Sequence, residues 1–451
     1  MPGVGGTSIF SHPMLTRFFN LEAHGTNVRR EAIAGLTTFA AMAYILAVNP
    51  SVLSQAGMDK GALITATAVA SALMTLVMAL ATNYPIALAP GMGLNAFFAF
   101  GLCLGAKIPW PAALGLVFYG GVIFFVLSVT GIRRQIIESI PREMKLAITC
   151  GIGLFIAFIG LKGGGVVVAH PVTFVALGNF GQPAPLLVLG GLILAAVLVW
   201  RKVPGAIILT IAVLTLIGLV VPGPAGGTLT PYPTQIVAAP PSLEPLFLKL
   251  DLAYFWTHWQ ACLPLLLALL FVDLFDNMGT LIAVCQRAGL LDSAGNLPRL
   301  GRALAADAAA AMIGSSLGTS TVTSYIESAA GVEAGGRTGL TSVATAGCFL
   351  LALFLNPLIS IIPAAATAPA LVIVGIFMMQ SVVELDLKDF SKAVPAVVTM
   401  LAMPLTFSIA EGLSLGFVVY VGLNLLIGRG RTIRPLAYVL ALLFLFHLIS
   451  R

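Results

Sequence analysis

Long apolar runs separated by short polar segments fill most of the 451-residue chain. A helix needs about 20 apolar residues to cross a bilayer. Eleven runs approach or exceed that length, and they cover residues 30–49, 61–82, 111–131, 144–161, 185–200, 204–221, 260–284, 340–355, 363–383, 393–409 and 411–427. The pattern predicts an all-α polytopic membrane protein.

Three further runs are weaker, because Gly and polar residues interrupt them. They cover residues 91–106, 301–316 and 319–333. Interruptions of this kind are typical of broken helices that line a binding site inside a transporter. With these three runs included, the sequence predicts 14 transmembrane spans.

The basic residues predict the topology, because cytoplasmic loops carry an excess of Lys and Arg. If the N-terminus is inside, 19 of the 23 basic residues fall in inward loops, and the outward loops hold only Lys60, Lys107, Lys162 and Lys249. We therefore expect a multi-pass protein of the inner (plasma) membrane with both termini cytoplasmic. The apolar tail at 435–450 leaves two alternatives, since it either crosses the membrane or lies at its interface as a helix.

A long, Pro-rich outward loop divides the chain almost in half. We expect a cytoplasmic segment at 1–28, a first seven-span repeat at 29–221, an extracellular linker at 222–259, a second repeat at 260–428 and a tail at 429–451. A shift of 232 residues superposes Tyr44 on Asp276 and Asn95 on Glu327. Because seven is odd, the two repeats are predicted to have inverted topology in the membrane.

The composition indicates that the chain lies in a lipid bilayer and argues against nucleic-acid, metal and cofactor partners. The chain is 59% hydrophobic and only 9% charged, whereas soluble domains have about 25% charged residues. Its net charge of +6 is spread over short loops without a basic stripe, so no nucleic-acid partner is expected. The five cysteines have no paired or metal-like spacing, so we expect no metal site and no cofactor.

The polar, acidic stretch at 319–337 is the strongest candidate for a binding site. A carboxylate at membrane depth costs roughly 2.5 to 3.5 kcal/mol on insertion scales and usually lines a cavity. Glu327 is that carboxylate, and Thr323, Ser324 and Tyr325 precede it. The β-branched run at 319–323 predicts an extended segment before a helix.

Two more acids lie three residues apart, Asp273 and Asp276, and share one helical face. Two carboxylates this close in a low dielectric raise each other's affinity for protons. We therefore regard Asp276, Asp273 and Glu327 as candidate proton-coupling residues, with Asp276 favoured as a ligand contact. The alternative is that one of the aspartates caps a broken helix or pairs with an Arg.

The partner stretch at 89–100 is broken by Pro and Gly residues and contains the amide of Asn95. Gly93 would let a ligand approach the backbone, and Phe39 in the first span is expected to reach the same cavity. Acids, an amide and aromatic rings together favour a small, planar, neutral ligand whose N–H groups a carboxylate can accept. The same acids would repel inorganic anions.

Other charged groups nearby are predicted to be structural. Asp307 lies near the inner surface, five residues after Arg302. Glu333 and Arg337 are four residues apart, which predicts a local salt bridge.

At these residues the chain resembles the nucleobase cation symporter-2 family, in its azaguanine-type branch of adenine, guanine and hypoxanthine permeases. The resemblance rests on Phe-Phe-Asn-Leu-Glu-Ala-His-Gly-Thr at 18–26, Arg-Arg-Glu at 29–31, Ala-Gly-Leu-Thr-Thr-Phe at 34–39, Gly-Met-Gly-Leu-Asn-Ala at 91–96, Phe-Val-Asp-Leu-Phe-Asp-Asn-Met-Gly-Thr at 271–280 and Gly-Thr-Ser-Thr-Val-Thr-Ser-Tyr-Ile-Glu-Ser-Ala-Ala-Gly-Val at 318–332.

The resemblance implies a 7+7 inverted repeat with core and gate domains and a short strand in each of spans 3 and 10. It also implies a homodimer, proton-coupled uptake and an elevator-like movement of the core. By position, Glu327 matches the acid that contacts the base, Asp276 the acid of the eighth span and Asn95 the polar residue of the third. After Glu327 the chain has Ser328 and an extra Ala before Gly331, which departs from the pattern of the uracil and xanthine carriers.

The expected function is therefore the import of purine nucleobases, with protons as the coupling ion and no catalytic residues. Two alternatives stay open. One is an anion exchanger of the same architecture, which predicts neutral or basic site residues. The other is a membrane enzyme with paired aspartates, which needs a catalytic motif that the sequence does not contain.

Overall fold

The computed structural model describes residues 13–130, 141–223, 227–292 and 297–449, without the side chains of residues 13, 14, 275, 276, 278, 279, 432 and 447. The first half contains helices α1 (Pro13–Phe18), α2 (Val28–Met42), α3 (Ile45–Leu53), α4 (Lys60–Thr82), α5 (Met92–Ala96), α6 (Trp110–Val129), α7 (Arg142–Gly163), α8 (Pro183–Trp200) and α9 (Ala206–Gly218). Its strands are β1 (Leu88–Pro90), β2 (Val167–His170) and β3 (Phe174–Leu177).

The second half contains strand β4 (Val322–Ser324) and ten further helices. These are α10 (Ala253–Thr257), α11 (Trp259–Arg287), α12 (Leu300–Leu317), α13 (Ser328–Glu333), α14 (Gly339–Ala352), α15 (Asn356–Ser360), α16 (Ala364–Met379), α17 (Phe390–Leu405), α18 (Ile409–Leu426) and α19 (Pro435–Ile449).

The chain is a multi-pass helical membrane protein. Among the described residues, eight helical runs are long and apolar enough to cross a bilayer. Shorter apolar helices include Met92–Gly105, Ala206–Gly218, Trp259–Leu274 and Phe390–Leu405. Each overlaps a stretch from which the sequence predicts a span, and the count of fourteen stays a prediction.

Three of the predicted spans are interrupted. The first breaks between Met42 and Ile45, where Ala43 and Tyr44 join α2 to α3. The run at 91–106 follows β1 and continues beyond α5 as a π-helix, Phe97–Gly105. The run at 319–333 is β4 followed by the six-residue helix α13. Backbone that is not helical at membrane depth must find partners inside the protein.

Packing divides the long helices into two groups. We call α2 to α6 with α11 to α15 the core group, because α14 packs on α2 and α4, and α12 packs on α4 and α6. We call α7 to α9 with α16 to α18 the gate group, because α16 and α17 pack on α7, and α8 and α9 pack on α16. In the gate group α7 crosses α16 where a Cβ on Gly153 would lie 2.5 Å from the Gly375 carbonyl oxygen.

The groups meet over smaller contacts, where α11 packs on α7 and α18, α9 packs on α2, α16 packs on α3 and α5 packs on α7. A Cβ on Gly93 of α5 would lie 2.7 Å from Cγ2 of Ile152 in α7. Near the predicted outer face, the ring of Phe100 lies 5.4 Å from that of Phe407, edge to face. The ring of Phe155 in α7 also lies 5.4 Å from Phe407. An aromatic cluster therefore joins the core group to the gate group at this end.

The predicted linker lies across those ends of the core helices that the charge pattern predicts to face outward. The Thr65 hydroxyl of α4 donates to the Pro241 carbonyl at 2.9 Å. Leu248 N donates to the Ser316 carbonyl of α12 at 2.8 Å, and Asp251 N donates to Pro111 at 3.0 Å. These bonds satisfy linker backbone groups and carbonyls at helix ends, so the linker is anchored on the core group.

Two elements add detail beyond the sequence pattern. Strands β2 and β3 form a hairpin after α7, with Val167 opposite Leu177. The tail forms helix α19, which packs on α18 and α11, and the Phe444 ring lies 5.7 Å from that of Phe417. Whether α19 crosses the membrane or lies at its interface stays open.

Candidate functional site

The candidate site is built around the pairing of β1 with β4. The two strands are antiparallel, with Ala89 opposite Thr323. Gly91 N donates to the Thr321 carbonyl at 3.0 Å, and Tyr325 N donates to the Ala87 carbonyl at 3.0 Å, so the pairing extends past both strand ends. It brings the stretch that contains Asn95 against the stretch that contains Glu327.

Glu327 ends the turn between β4 and α13 and is bound by the first span. The Tyr44 hydroxyl donates to Glu327 Oε1 at 2.6 Å. Tyr44 lies at the break between α2 and α3 and is only 1% exposed. The break thus places a phenol on an acid 283 positions later in the chain.

Close backbone packing fixes α13 against α2. A Cβ on Gly331 would lie 2.6 Å from the Ala34 carbonyl oxygen and would overlap the Thr38 hydroxyl. Only a residue without a side chain lets the two helices come this near. The position of Glu327 is therefore fixed by the hydrogen bond between its carboxylate and Tyr44, and by the packing of the following helix α13 on α2.

Asn95 lies at the strand crossing and is fully buried. Its Oδ1 accepts a hydrogen bond from the Ser320 hydroxyl, and its Nδ2 lies 3.4 Å from the Pro90 carbonyl oxygen. The amide thus ties α5 to the segment before β4. The structure places this predicted site residue beside β4, with its acceptor bonded inside the protein.

Asp307 supports the strand from the other side. Its Oδ1 accepts bonds from the Thr323 hydroxyl at 3.1 Å and from Ser324 N at 3.2 Å. Asp307 is only 1% exposed, which agrees with the structural role expected from the sequence. Thr323 and Ser324, which we expected to line the site, therefore bond to Asp307 through a hydroxyl and a backbone amide respectively.

Three other predicted site residues pack around this centre. The Tyr325 hydroxyl donates to the Pro90 carbonyl at 2.6 Å, so it supports the strand pair. The ring of Phe39 lies 5.2 Å from that of Phe349, edge to face, between α2 and α14. Gly93 faces Ile152 and so lies where the core group meets the gate group.

The two aspartates of α11 lie on the helix that packs against β4, α5 and α13. Asp273 is 3% exposed and borders a crevice with Gly121, Ala311 and Thr321. The crevice has no room for a water molecule, so it is far smaller than ligand pockets of roughly 300 to 1,000 Å³. Asp273 therefore lies between helices. The Asp276 side chain lies outside the described part of the structure.

Asn277 is a further candidate for the site, although it was not predicted from the sequence. It is fully buried, and neither of its amide atoms has a hydrogen-bond partner among the described residues. Burying an amide without partners costs roughly 1 to 3 kcal/mol, and such groups occur where a ligand or water uses them. Asn277 was not among the predicted site residues, because burial and hydrogen-bond partners are not visible in a sequence.

The expected pair of Glu333 and Arg337 does not form. Arg287 of α11 binds Glu333 at 3.0 Å instead. Arg337 Nη1 donates to the carbonyls of Val332 at 2.6 Å and Gly336 at 2.7 Å. The prediction was wrong because α13 ends at Glu333, so the two side chains do not lie one turn apart on a continuous helix.

The arrangement offers one carboxylate at the crossing of two interrupted spans, with aromatic and amide groups nearby. Glu327 accepts a hydrogen bond from the Tyr44 hydroxyl, which brings no positive charge, so an ionised Glu327 would leave the site negative. Such a site favours neutral or cationic ligands with N–H groups over anions.

Comparison with known proteins identifies relatives across nearly the whole chain. The adenine permease AdeP of Escherichia coli is 41% identical over 436 residues, which are 97% of this chain and 96% of the relative. The guanine/hypoxanthine permease PbuG of Bacillus subtilis is 44% identical over 446 residues, which are 96% of this chain and 99% of the relative.

Solved structures of similar fold are much more distant in sequence. The transmembrane domain of the cyanobacterial bicarbonate transporter BicA matches with a TM-score of 0.61 at 15% identity, over 86% of this chain and 96% of that one. The structure of SLC26A9 matches with a TM-score of 0.60 at 12% identity, over 93% and 70% of the two chains. At these identities the likeness shows the fold alone.

The model of the Permease family matches residues 29–415. This match covers the motifs at 34–39, 91–96, 271–280 and 318–332, and the family resemblance read from the sequence is confirmed. The relatives are named as permeases rather than as enzymes. The chain therefore belongs to the Permease family and is a membrane transporter rather than an enzyme.

Proposed function

We propose that this protein imports purine nucleobases by proton symport, with the core group moving against the gate group as an elevator. The observation that carries the proposal is the carboxylate of Glu327, placed at the strand crossing and bound by Tyr44. Two relatives that match nearly the whole chain are named for adenine and for guanine and hypoxanthine, which supports a purine as the substrate class.

A purine edge presents N–H groups, and a carboxylate accepts two such donors side by side. In this proposal Glu327 accepts the N–H groups of the base. The amide of Asn95 and the acid at Asp276 orient the base from the neighbouring spans. Asn277 adds a donor and an acceptor on α11 that the described residues leave unused.

The anion-exchanger alternative is less well supported. The fold neighbours are named as bicarbonate and anion transporters, but a fold does not determine which ligand its site binds. An anion at Glu327 would meet a like charge at low dielectric, where repulsion is strong. A neutral base does not pay this penalty.

Proton coupling needs a group whose protonation depends on loading. We propose that Glu327 or Asp276 takes up the coupled proton, with Asp273 as a third candidate. Symport requires that the base and the proton bind together, so a proton on Glu327 would have to leave one of its oxygens free to accept an N–H group of the base. Binding and protonation at one carboxylate are then thermodynamically linked.

The elevator proposal rests on the separation of core and gate groups. Most long helices pack within one group. The contacts between the groups are smaller and include Gly93, the Phe100–Phe407 aromatic pair and the packing of α11 on α7 and α18. Small, apolar contacts of this kind separate more readily than interlocked helices, so they fit a sliding boundary.

Replacing Glu327 tests the site. We expect Glu327→Ala to abolish saturable uptake of labelled adenine, guanine and hypoxanthine, because the base loses its acceptor. Glu327→Gln should retain weak binding through one carbonyl oxygen. The matched control is Glu333→Gln, which removes an exposed acid paired with Arg287 and should leave uptake unchanged. Wild-type uptake rates in Glu327→Ala would refute the assignment.

An imposed pH gradient tests coupling. In proteoliposomes with an acidic exterior, purine accumulation should exceed equilibrium and collapse when a protonophore is added. Asp276→Asn or Glu327→Gln, whichever removes the coupling group, should keep purine exchange but lose accumulation. Accumulation that is indifferent to the gradient contradicts proton symport.

Cross-linking tests the movement. In a background without the five native cysteines, a Phe100→Cys/Phe407→Cys pair joined by a short bifunctional reagent should stop uptake, and a reductant should restore it. The control pair Phe155→Cys/Phe407→Cys has the same 5.4 Å ring separation but lies within the gate group. Uptake that survives the first cross-link would rule out movement at this boundary.

We also propose a homodimer, on the family resemblance. Mass measurement of the purified protein in detergent or nanodiscs should give twice the 46.8 kDa chain mass after correction for bound lipid. A single-chain mass that supports full uptake in nanodisc-derived liposomes would contradict it.

A further inference from the structure

Glu31 is a buried acid that the site described above does not use. It lies in the first turn of α2 and is completely buried. Its Oε1 accepts a bond from Arg337 N at 3.0 Å. Its Oε2 accepts bonds from N and Oγ1 of Thr338 at 3.2 and 2.9 Å, and from N and Oγ1 of Thr341 at 3.2 and 2.6 Å.

These donors belong to the start of α14. The first backbone N–H groups of a helix have no partner within the helix, and a carboxylate there also interacts favourably with the helix dipole. Thr338 caps α14 from its own chain, since its hydroxyl accepts from Leu340 N. Glu31 supplies a second cap from another span, so α14 begins at a fixed position relative to α2.

The eleven residues from Glu327 to Arg337 are held between these anchors. Gly335 has a φ of 108°, and a Cβ there would overlap the Arg30 guanidinium. The Arg337 side chain bonds to the carbonyls of Val332 and Gly336. The segment therefore has little freedom to shift along α2.

The first span thus holds α13 at both ends. At one end Tyr44 bonds to Glu327, and at the other Glu31 bonds to Arg337. Between them Gly331 lies against Ala34 and Thr38. Glu31 and Tyr44 are 13 residues apart, which is about 20 Å along a helix at about 1.5 Å per residue.

We propose that Glu31 is a positioning residue for the purine site: through its bonds to residues 337, 338 and 341 it sets the position of α13, and therefore of Glu327 relative to Tyr44. It does not contact the ligand. The proposal rests on the proposed role of Glu327. A displacement of about 1 Å at a site can cost roughly a hundredfold in function, so a distant anchor has a measurable effect on binding.

A helix cap without a positioning role would affect stability alone. The variant Asn27→Ala provides the matched comparison, because the Asn27 side chain caps α2 through Arg30 N at 3.0 Å without touching 337–341. We expect Asn27→Ala to lower the melting temperature while leaving purine affinity unchanged. Glu31→Gln should also lower the melting temperature, because an amide N–H₂ would face backbone and hydroxyl donors.

The experiment measures purine Kd by thermal shift on purified protein, and KM against maximal uptake rate in proteoliposomes. For Glu31→Gln we expect Kd and KM to rise roughly tenfold or more, with a folded, monodisperse protein. Glu31→Asp keeps the charge but has a shorter side chain, and it should recover part of the affinity. Thr341→Val removes one hydroxyl donor and should raise Kd a few fold in the same direction.

The outcomes separate the two proposals. If the wild-type protein binds no purine, the proposed function fails. If it binds purine and Glu327→Ala does not, but Glu31→Gln and Thr341→Val keep the wild-type Kd and KM, the positioning role is overturned. If Glu31→Gln does not fold, Thr341→Val decides alone, and an unchanged Kd in that variant overturns the proposal.

Discussion

Backbone groups that leave a helix at membrane depth need hydrogen-bond partners inside the protein, because lipid offers none. Here two such segments, β1 and β4, satisfy each other. Side chains bind backbone N–H groups that the strand pairing does not satisfy. The Thr75 hydroxyl accepts from Leu88 N at 2.8 Å, and the Ser328 hydroxyl accepts from Ala87 N at 3.0 Å. Asp307 accepts from Ser324 N on the other strand. The polar residues around the crossing therefore follow first from the need to satisfy the backbone.

The crossing also explains why one acid is available for a ligand. Most polar side chains around β1 and β4 are committed to the strands, as Asn95 is to Ser320 and Tyr325 is to Pro90. Glu327 follows the strand rather than lying in it, and its bond to Tyr44 comes from another span. Interrupted helices thus serve two purposes: they remove the hydrogen bonds that a continuous helix would make, and they let a side chain at the interruption point toward a neighbouring span.

The sequence was sufficient for the features that depend on composition and period. Apolar run length located the membrane helices. Gly and polar residues marked the interrupted runs at 91–106 and 319–333, but the run at 301–316, marked in the same way, lies in the continuous helix α12 and that prediction was wrong. The exceptional acid marked the candidate site. Side-chain partners were not accessible in the same way. The Tyr44–Glu327 bond joins positions 283 residues apart, and the anchor at Glu31 joins positions about as distant. The salt bridge expected between Glu333 and Arg337 assumed a continuous helix, and the end of α13 removes that assumption. The partner of each side chain therefore depends on how distant segments pack together, which local sequence spacing does not reveal.

The likeness to anion transporters sharpens the question of selectivity. One fold serves carriers of very different ligands, so selectivity must lie in a few side chains at the crossing rather than in the helices around it. In this chain the decisive group is an acid whose partner, Tyr44, is a neutral donor. A basic partner would neutralise an ionised Glu327, whereas a phenol adds no positive charge and leaves the acid able to accept further N–H groups. On the proposed function, Tyr rather than Lys or Arg at the break in the first span would therefore favour a neutral base over an anion.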